Sequence, residues 1–231
     1  MNAFSKRSNS SLSQRIISLY KQRFSLMQSK LKHELRSCQT LVELGCGTKS
    51  PVAECIKNIF TVGIDGHLHS LLENKRSGYF KDYVLADLNY LPLKPNSFDC
   101  VAAFDVIEHF TKNQAKMLIE NMEKISKKKI VLLTPNGFNP KSRLEDDSPL
   151  QIHRCSWTKE EISKRGYEVF GLDGARRLRG EQASPTIKPP IVGSFLARIS
   201  DPFVFKCPST AFALLCIKNK PKLKTKFNKF R

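Results

Sequence analysis

The apolar residues near the start of the chain fall at helical spacing. Steps of three or four residues separate them between Leu12 and Leu35, which predicts one amphipathic helix. They are Leu12, Ile16, Tyr20, Phe24, Met27, Leu31 and Leu35. Lys and Arg occupy much of the other face, so the helix could lie on an anionic membrane or cover a substrate entrance. Packing on the domain is the simpler interpretation, because every docked helix shows such a stripe.

From residue 40 the pattern changes to short apolar runs that alternate with helical stretches. This alternation is typical of an α/β fold with a mostly parallel sheet. Strands are predicted over 40–44, 60–64, 83–86, 99–104, 130–133, 167–172 and 211–217. Helices are predicted over 51–59, 67–76, 112–126 and 158–164. The last helix begins with a capping box formed by Thr158 and Glu161.

The predicted domain runs from 38 to 217 and is flanked by the helical segment 1–37 and a basic tail, 218–231. Between the last two strands, residues 173–210 are rich in proline and predict a long loop, here an insert that could cap a small pocket. A chain of 231 residues fits one such domain. No apolar run has the roughly 20 residues of a membrane-spanning helix, and no signal peptide follows Met1, which predicts a cytoplasmic protein, with a membrane-peripheral location as the variant.

Cysteine and charge patterns narrow the classes of partner. Seven cysteines form no C-x-x-C pair, so we expect reduced thiols, mostly buried, and no metal site. The net charge is +18, of which residues 1–40 carry +7 and residues 218–231 another +7. The middle of the chain is therefore nearly balanced. Basic ends of this kind fit anionic lipid or nucleic acid, or serve solubility alone.

Three carboxylates are predicted at the ends of three successive strands. Strand one ends in Glu43 and runs into a glycine turn, Gly45-Cys46-Gly47. Strand two ends in Asp65, 20 residues after Gly45, a distance at which an acid can bind both ribose hydroxyls. Strand three is followed by Asp87, which is well placed for an adenine amino group. Together they predict a nucleoside site at the carboxyl edge of the sheet.

The glycine pattern discriminates between nucleotide cofactors. A pyrophosphate site needs G-x-G-x-x-G, so that backbone N–H groups and a helix N-terminus meet the phosphates. Here Gly45 and Gly47 are followed by Lys49 and Ser50, without the final glycine, and the rim is acidic. An acidic rim suits a cofactor that carries a cation and no phosphate. S-adenosylmethionine, with a sulfonium and an ammonium group, fits that description.

The motifs VELGCGT, VGID, LADLNYLPLKPNSFDCV, FDVIEHF and IVLLTPNGF resemble, in order and spacing, those of class I S-adenosylmethionine-dependent methyltransferases. Among these the chain is most similar to type 11-like domains, near the quinone-biosynthesis enzymes. The resemblance covers roughly residues 38–172 and returns at strand seven. It implies a Rossmann-like three-layer sandwich whose seven-stranded sheet has an antiparallel last strand.

The resemblance also assigns cofactor-binding roles. It places Glu43, Gly45, Cys46 and Gly47 at the methionine end, Asp65 with Gly66 at the ribose, and Asp87 with Leu88 at the adenine. Residues from Phe104 and Asp105 to His109 form the wall after strand four. Cys46 is expected to be a small filler, because no neighbour in sequence would lower the pKa of its thiol.

Two histidines are the candidate catalytic residues. His109 follows strand four at the cleft edge and could act as a general base or orient the acceptor. The alternative for His109 is a purely local hydrogen bond at a helix start. Glu108 beside it could orient it or bind a metal ion. His153 lies in the loop before strand six, where substrate-contacting residues often fall in the resembled family.

The sequence leaves more than one class of methyl acceptor open. The nearly neutral body, the basic amphipathic helix and the insert favour a methyltransferase acting on a small-molecule or lipid-linked acceptor, with peripheral contact to an anionic membrane. The alternative is an RNA or protein methyltransferase whose basic ends hold a polyanion. Nucleic acid is not favoured, since FDVI stands where base-directed enzymes carry an N/D-P-P-Y tetrapeptide. A binding module that has lost turnover is a third reading.

Overall fold

The computed structural model describes residues 25–53, 55–56, 58–137, 149–180 and 184–221. Within these ranges the strands are β1 (Thr40–Leu44), β2 (Phe60–Asp65), β3 (Asp82–Leu85), β4 (Phe98–Phe104), β5 (Ser126–Pro135), β6 (Glu168–Ala175) and β7 (Ala211–Asn219). The α-helices are α1 (Ser25–Leu35), α2 (Leu68–Ser77), α3 (Lys112–Ile125), α4 (Lys159–Ser163), α5 (Pro190–Ile199) and α6 (Asp201–Lys206).

All seven strands form one sheet in the order β3-β2-β1-β4-β5-β7-β6. Strand β7 is antiparallel to both of its neighbours, β5 and β6, whereas the other pairs are parallel. The predicted α/β class, with its antiparallel last strand, is confirmed. Because the strand order reverses between β1 and β4, the carboxyl ends of these two strands diverge around a crevice, which is where open α/β sheets bind ligands.

The core lies in two layers, one on each face of the sheet. Alternate residues of the central strands point to opposite faces. Val42, Val101 and Ile130 belong to the cluster beneath α3, whereas their chain neighbours Leu41, Cys100 and Val131 belong to the cluster beneath α1. Apolar residues on both faces explain why the strands appear in the sequence as nearly continuous apolar runs.

Helix α1 is docked on the sheet by its apolar stripe and by one ion-paired carboxylate. Met27, Leu31 and Leu35 are buried in the core. Glu34 accepts from Lys129 Nζ of β5 at 2.5 Å and lies 3.0 Å from Lys30 Nζ. For the described half of the predicted N-terminal helix, packing on the domain is therefore the correct interpretation. Residues 1–24, like 222–231 of the basic tail, lie outside the described residues.

Two sequence expectations are wrong. The described residues of the predicted helix 51–59 form turns, closed by bonds between residues three apart, such as Cys55 N to Val52 O and Ile59 N to Ile56 O. Segment 173–210 is not a long loop: it contains α5 and α6, both packed against β6. In the part of the chain that the structure describes, no helix has the length and apolarity needed to cross a membrane.

Low pH should remove the stabilisation that the ion pairs of Glu34 with Lys129 and Lys30 give to the fold. Burial alone would raise the pKa of Glu34, but hydrogen bonds and charges from Lys129 and Lys30 outweigh it and lower the pKa from 4.5 to about 2. The ionised carboxylate therefore stabilises the fold above pH 4.5, and this contribution is lost as the pH falls toward 2. We expect Glu34→Gln to reduce the free energy of unfolding at pH 7 by on the order of 1–2 kcal/mol, with the deficit shrinking below pH 4.5.

Urea unfolding at a series of pH values measures this deficit. Glu120→Gln, on an exposed position of α3, is the matched control and should follow the wild type throughout. If the difference in the free energy of unfolding between Glu34→Gln and the wild type stayed constant from neutral to acid pH, the ion pairs of Glu34 would not be its cause.

Candidate functional site

The turn after β1 is built so that only glycine fits. Gly45 has φ +69°, and a Cβ there would lie 2.5 Å from Val106 Cγ2. The N–H groups of Gly45 and Cys46 both donate to Ile64 O of β2, at 2.7 and 3.1 Å. Gly47, at φ +51°, has open space where its Cβ would be. The turn therefore lies tight against β2 and β4 and leaves its outer side clear for a ligand.

Asp65 is fixed by backbone donors. Its Oδ2 accepts from Gly47 N and its Oδ1 from His67 N, both at 2.8 Å. The side chain is largely buried at the carboxyl end of β2. Two backbone N–H bonds hold the carboxylate in one orientation beside the glycine turn, as the sequence predicted for an acid at the end of strand two.

Asn74 supports the turn from below, a role that the sequence analysis missed. Its Nδ2 donates to the carbonyl oxygens of Cys46 and Gly47, each at 3.0 Å, and the residue is fully buried. Tyr83 OH in turn donates to Asn74 O at 3.1 Å. The available signal was a polar residue at a position of α2 that faces the core, which is the typical place for a buried hydrogen-bonding support.

A cavity of about 600 Å³ opens beside this turn at the carboxyl edge of the sheet. Of the predicted site residues, the ones that line it are Gly45, Gly47, Asp65, Gly66, Asp87, Leu88, Asp105 and His109. Asp87 is exposed and accepts from Asn89 N and Asn89 Nδ2, both at 2.8 Å, whereas Leu88 is buried. The structure thus brings residues from four strand ends to one cavity.

Three of the predicted cofactor residues are not among those that line the cavity. Phe104 is buried in the core beneath α1, because alternation along β4 points it to that face. Cys46 packs with Leu71 and Phe80, where burial raises the pKa of its thiol, so it is the filler expected and not a nucleophile. Glu43 lies under the turn, almost fully buried, and accepts from Ser50 Oγ at 2.6 Å.

Asp105 occupies a strained position at the cavity wall. Its φ is +52°, a conformation that costs free energy for a residue with a side chain. Asp105 N donates to Leu133 O at 2.9 Å, which helps to hold that conformation as the chain leaves β4. Such strain is commonly found at functional sites, in agreement with the placement of Asp105 on the cavity lining.

His109 lines the cavity, whereas His153 is not among the lining residues and packs against His109. Their ring centroids lie 4.9 Å apart in an edge-to-face arrangement, and His109 Nδ1 lies 3.3 Å from Ile152 O. Glu108, which is buried, accepts from Thr134 Oγ1 at 3.1 Å. One ligand atom each from Glu108, His109 and His153 lie within 4.8 Å of one another, a group that could hold a metal ion. The sequence singled out all three residues, and Glu108 as a possible metal ligand, but the prediction was of no metal site.

The cavity is also lined by residues that the sequence did not single out, and Leu150 among them lies beside Gly66. They are Phe110, Gln114, Leu150, Gln151 and Arg154. The segment that contains Arg154 is tied to the wall after β4, since Arg154 N and Cys155 N donate to Glu108 O at 2.8 and 3.1 Å. In the sequence, the only indication that this segment belongs to the site was its position next to His153. Only folding brings two segments more than 40 residues apart to one wall.

The burial of Glu43 predicts a distinctive pH dependence of stability. Burial, reinforced by the nearby charge of Asp65 and opposed by the bond from Ser50, raises the pKa of Glu43 from 4.5 to about 8. Because the folded state retains the proton that the unfolded state loses above pH 4.5, wild-type stability falls between pH 4.5 and 8. Glu43→Gln cannot titrate. We expect its stability advantage to grow by roughly 1.4 kcal/mol per pH unit across that window.

Thermal and urea unfolding of the protein without cofactor, at several pH values from 5 to 9 on the order of one unit apart, would measure this advantage. Glu120→Gln serves again as the exposed control and should run parallel to the wild type. Parallel curves for Glu43→Gln and the wild type would show that Glu43 is already ionised in the folded state, against this prediction.

Comparison with known proteins identifies the domain. A family model described as a methyltransferase domain matches residues 42–133, which span the glycine turn, Asp65, Asp87 and strands β2 to β4 in full. The comparison with curated proteins gives no match. The same match supports S-adenosylmethionine as the cofactor, whereas the proximity to quinone-biosynthesis enzymes stays a prediction.

Solved methyltransferase structures share the fold. The magnesium protoporphyrin IX methyltransferase of Synechocystis PCC 6803, crystallised with bound SAM, has a TM-score of 0.52 at 13% identity, over 89% of this chain and 82% of that one. A SAM-dependent methyltransferase from Archaeoglobus fulgidus has a TM-score of 0.53 at 19% identity, over 85% and 94%. The small RNA methyltransferase HEN1 has a TM-score of 0.56 at 18% identity, over 87% of this chain and 25% of that one.

At these identities the structural likeness establishes the fold, and the family match establishes the domain. Both agree with the motifs from VELGCGT to IVLLTPNGF, which lie on the elements that the resemblance implied. The chain therefore carries a methyltransferase domain, built on the fold of the class I S-adenosylmethionine-dependent methyltransferases that its sequence resembles.

Proposed function

We propose that the protein is an S-adenosylmethionine-dependent methyltransferase that acts, in the cytoplasm, on a small-molecule or lipid-linked acceptor. One observation carries the proposal. The carboxylates of Asp65 and Asp87 stand at one cavity of about 600 Å³, beside a glycine turn that leaves its outer side clear. A cavity of this size is in the range of small-molecule and cofactor sites.

The chemistry of the cavity suits the ribose and the adenine of this cofactor. Asp65, oriented by two backbone N–H groups, is suited to accept from ribose hydroxyls. The exposed Asp87 carboxylate and the buried Leu88 side chain offer an acceptor and an apolar wall to an adenine ring. Asp65, Asp87 and Asp105 line the cavity, and the turn lacks the third glycine of a pyrophosphate site. Both features favour a cofactor that carries no pyrophosphate.

The bound cofactor supplies an electrophilic methyl group, so the protein has to align an acceptor and, for a hydroxyl acceptor, take its proton. His109 lines the cavity and is the group placed to take that proton. The edge of the His153 ring and the carbonyl oxygen of Ile152 restrict its orientation. His153 is therefore a positioning residue in this proposal. Phe110, which follows His109 in the sequence and also lines the cavity, offers an apolar surface to the acceptor.

His109→Gln should separate proton transfer from cofactor binding. We expect kcat to fall by about a hundredfold or more for a hydroxyl acceptor, since a positioned general base typically contributes that much. The dissociation constant for S-adenosylmethionine, measured by calorimetry, should stay within about twofold of the wild type, because the proposed role of His109 is a contact with the acceptor and not with the cofactor. An unchanged kcat would eliminate His109 as the base.

The cluster of Glu108, His109 and His153 favours a second way of activating an acceptor oxygen, through a bound divalent cation. Chelation distinguishes the two. Transfer that survives treatment with a chelator agrees with His109 as a proton acceptor, whereas transfer that is lost and then restored by a divalent cation identifies a metal-dependent enzyme.

The cavity lining supports the proposed acceptor class, whereas the similar structures do not choose between classes. One of them is a magnesium protoporphyrin IX methyltransferase and another a small RNA methyltransferase, so enzymes of both kinds use this fold. The cavity lining combines apolar Phe110 and Leu150 with Gln114, Gln151 and Arg154. This mixture suits a partly apolar molecule with a few polar groups. An RNA or protein acceptor held by the basic ends is the alternative.

Label transfer tests the function and the acceptor together. Purified protein is incubated with methyl-labelled S-adenosylmethionine and a cell extract, and label is counted in the lipid, small-molecule, RNA and protein fractions. We expect label in the lipid or small-molecule fraction. Asp65→Ala, which removes the proposed ribose acceptor, should lose at least about tenfold in cofactor affinity and transfer little label.

Two results would overturn this reading. Label in RNA or protein alone would exclude the proposed acceptor class. Cofactor binding with no transfer to any fraction would favour a binding module that has kept the fold without turnover.

A further inference from the structure

Helices α5 and α6 present large apolar side chains to solvent. Phe195, Ile199 and Phe203 are 55%, 61% and 62% exposed. The exposed apolar residues of the two helices together form what we call the α5–α6 surface: Ile191, Val192, Phe195, Leu196, Ile199 and Phe203. A contiguous group of this kind is rare on soluble monomers and marks an interaction surface.

Helix α5 packs on the domain through small residues and exposes its large apolar residues to solvent. Its buried residues are Gly193 and Ala197. A Cβ on Gly193 would lie 2.7 Å from Ile187 O, and a Cβ on Gly174 would collide with the backbone of Ala197. Ile191, Phe195 and Ile199 follow one another at intervals of four on the opposite stripe. Packing of the domain therefore does not require the large side chains, which remain available to a partner.

The α5–α6 surface is firmly mounted. Val204 of α6 is fully buried, and a Cβ on Gly171 of β6 would collide with the backbone of Val204. The ring of Phe205 stacks on Phe170 of β6, with centroids 4.9 Å apart. Because the two helices are seated directly on a strand, their outward residues form a fixed platform and not the tip of a mobile loop.

The charges around the α5–α6 surface are mainly basic. Arg177, Lys188 and Lys206 are exposed around it. Among the described residues of 173–210 there are six basic residues and two acidic ones, Asp173 and Asp201. Large apolar residues bordered by cations are the composition of helices that lie in the interface of an anionic bilayer.

The chain leaves β6 toward helix α5 at the edge of the sheet that carries the cavity. Strand β6 is parallel to β5, since both are antiparallel to β7, so α5 follows β6 at the carboxyl edge that carries the cavity. The guanidinium of Arg176, just after β6, lies over Gly137, just after β5. The cavity and the segment that leads from β6 into α5 therefore lie at the same edge of the sheet.

We propose that the α5–α6 surface docks the protein on an anionic lipid bilayer, with Phe195 and Ile199 inserted below the headgroups, so that the acceptor is taken from the bilayer. The choice of acceptor rests on the function proposed above, whereas the docking itself does not. Basic residues around the surface, Lys188 and Lys206 among them, contact the anionic headgroups.

A tryptophan reporter tests insertion directly. The only tryptophan, Trp157, is buried, so it contributes a background that lipid does not reach. In the full chain, Phe195→Trp should be quenched by brominated lipids in vesicles of phosphatidylglycerol and phosphatidylcholine. Met117→Trp, at a 61% exposed position on α3, is the matched control and should not be quenched. Equal quenching of the two reporters would overturn the proposal.

Vesicle co-sedimentation measures the contribution to affinity. Relative to the wild type, Phe195→Ser/Ile199→Ser should bind these vesicles about a hundredfold more weakly, since each buried apolar side chain contributes about tenfold. Met117→Ser should bind like the wild type, and thermal melts should show that all variants are folded. Vesicles of phosphatidylcholine alone should bind the wild type weakly, because they lack the anionic headgroups.

The same assays give different results if the α5–α6 surface does not bind a bilayer. Wild-type binding by Phe195→Ser/Ile199→Ser would assign vesicle binding to the basic ends and overturn the proposal. Self-association of the wild type that this variant abolishes, with vesicle binding unchanged, would make the surface a contact between copies. Both assays are independent of methyl transfer, so vesicle binding by a protein without transferase activity would refute the proposed function and leave the docking intact.

Discussion

The site depends on one constraint, the tight turn between β1 and the segment that follows it. Its N–H groups are bonded to Ile64 O and to Asp65, and its carbonyl oxygens accept from Asn74. Gly45 lies so close to Val106 that no side chain fits. The turn therefore has a single conformation, and through it the ends of β1, β2 and β4 are held at fixed distances around the cavity.

The same turn brings together two carboxylates that lie in different environments. Asp65 is oriented by backbone N–H donors at the edge of the cavity, where a ligand can reach it. Glu43 lies beneath the turn, and burial raises its pKa to about 8. Sheltering a protonated acid beside a fixed one limits the repulsion between them.

The cavity and the α5–α6 surface lie on different parts of the sheet. His109 lines the cavity, which opens at the ends of β1 to β4. The α5–α6 surface is mounted on β6 through close contacts at Gly171 and Gly174. The methyltransferase domain match ends at residue 133, before either helix begins. The cofactor site and the proposed docking surface are thus carried by different parts of the chain.

Local patterns in the sequence were enough to predict the succession of strands along the chain, the glycine turn and the acids Asp65 and Asp87. Alternation and strand-end position need no partner from elsewhere. The family resemblance placed Phe104 at the cavity, whereas alternation along β4 directs it into the core beneath α1. The sequence also did not reveal helix α5, because the prolines of 173–210 favoured a loop. Tertiary structure alone brought Asn74 under the turn and His153 to His109, because these contacts join segments that lie far apart in sequence and meet only when the sheet closes.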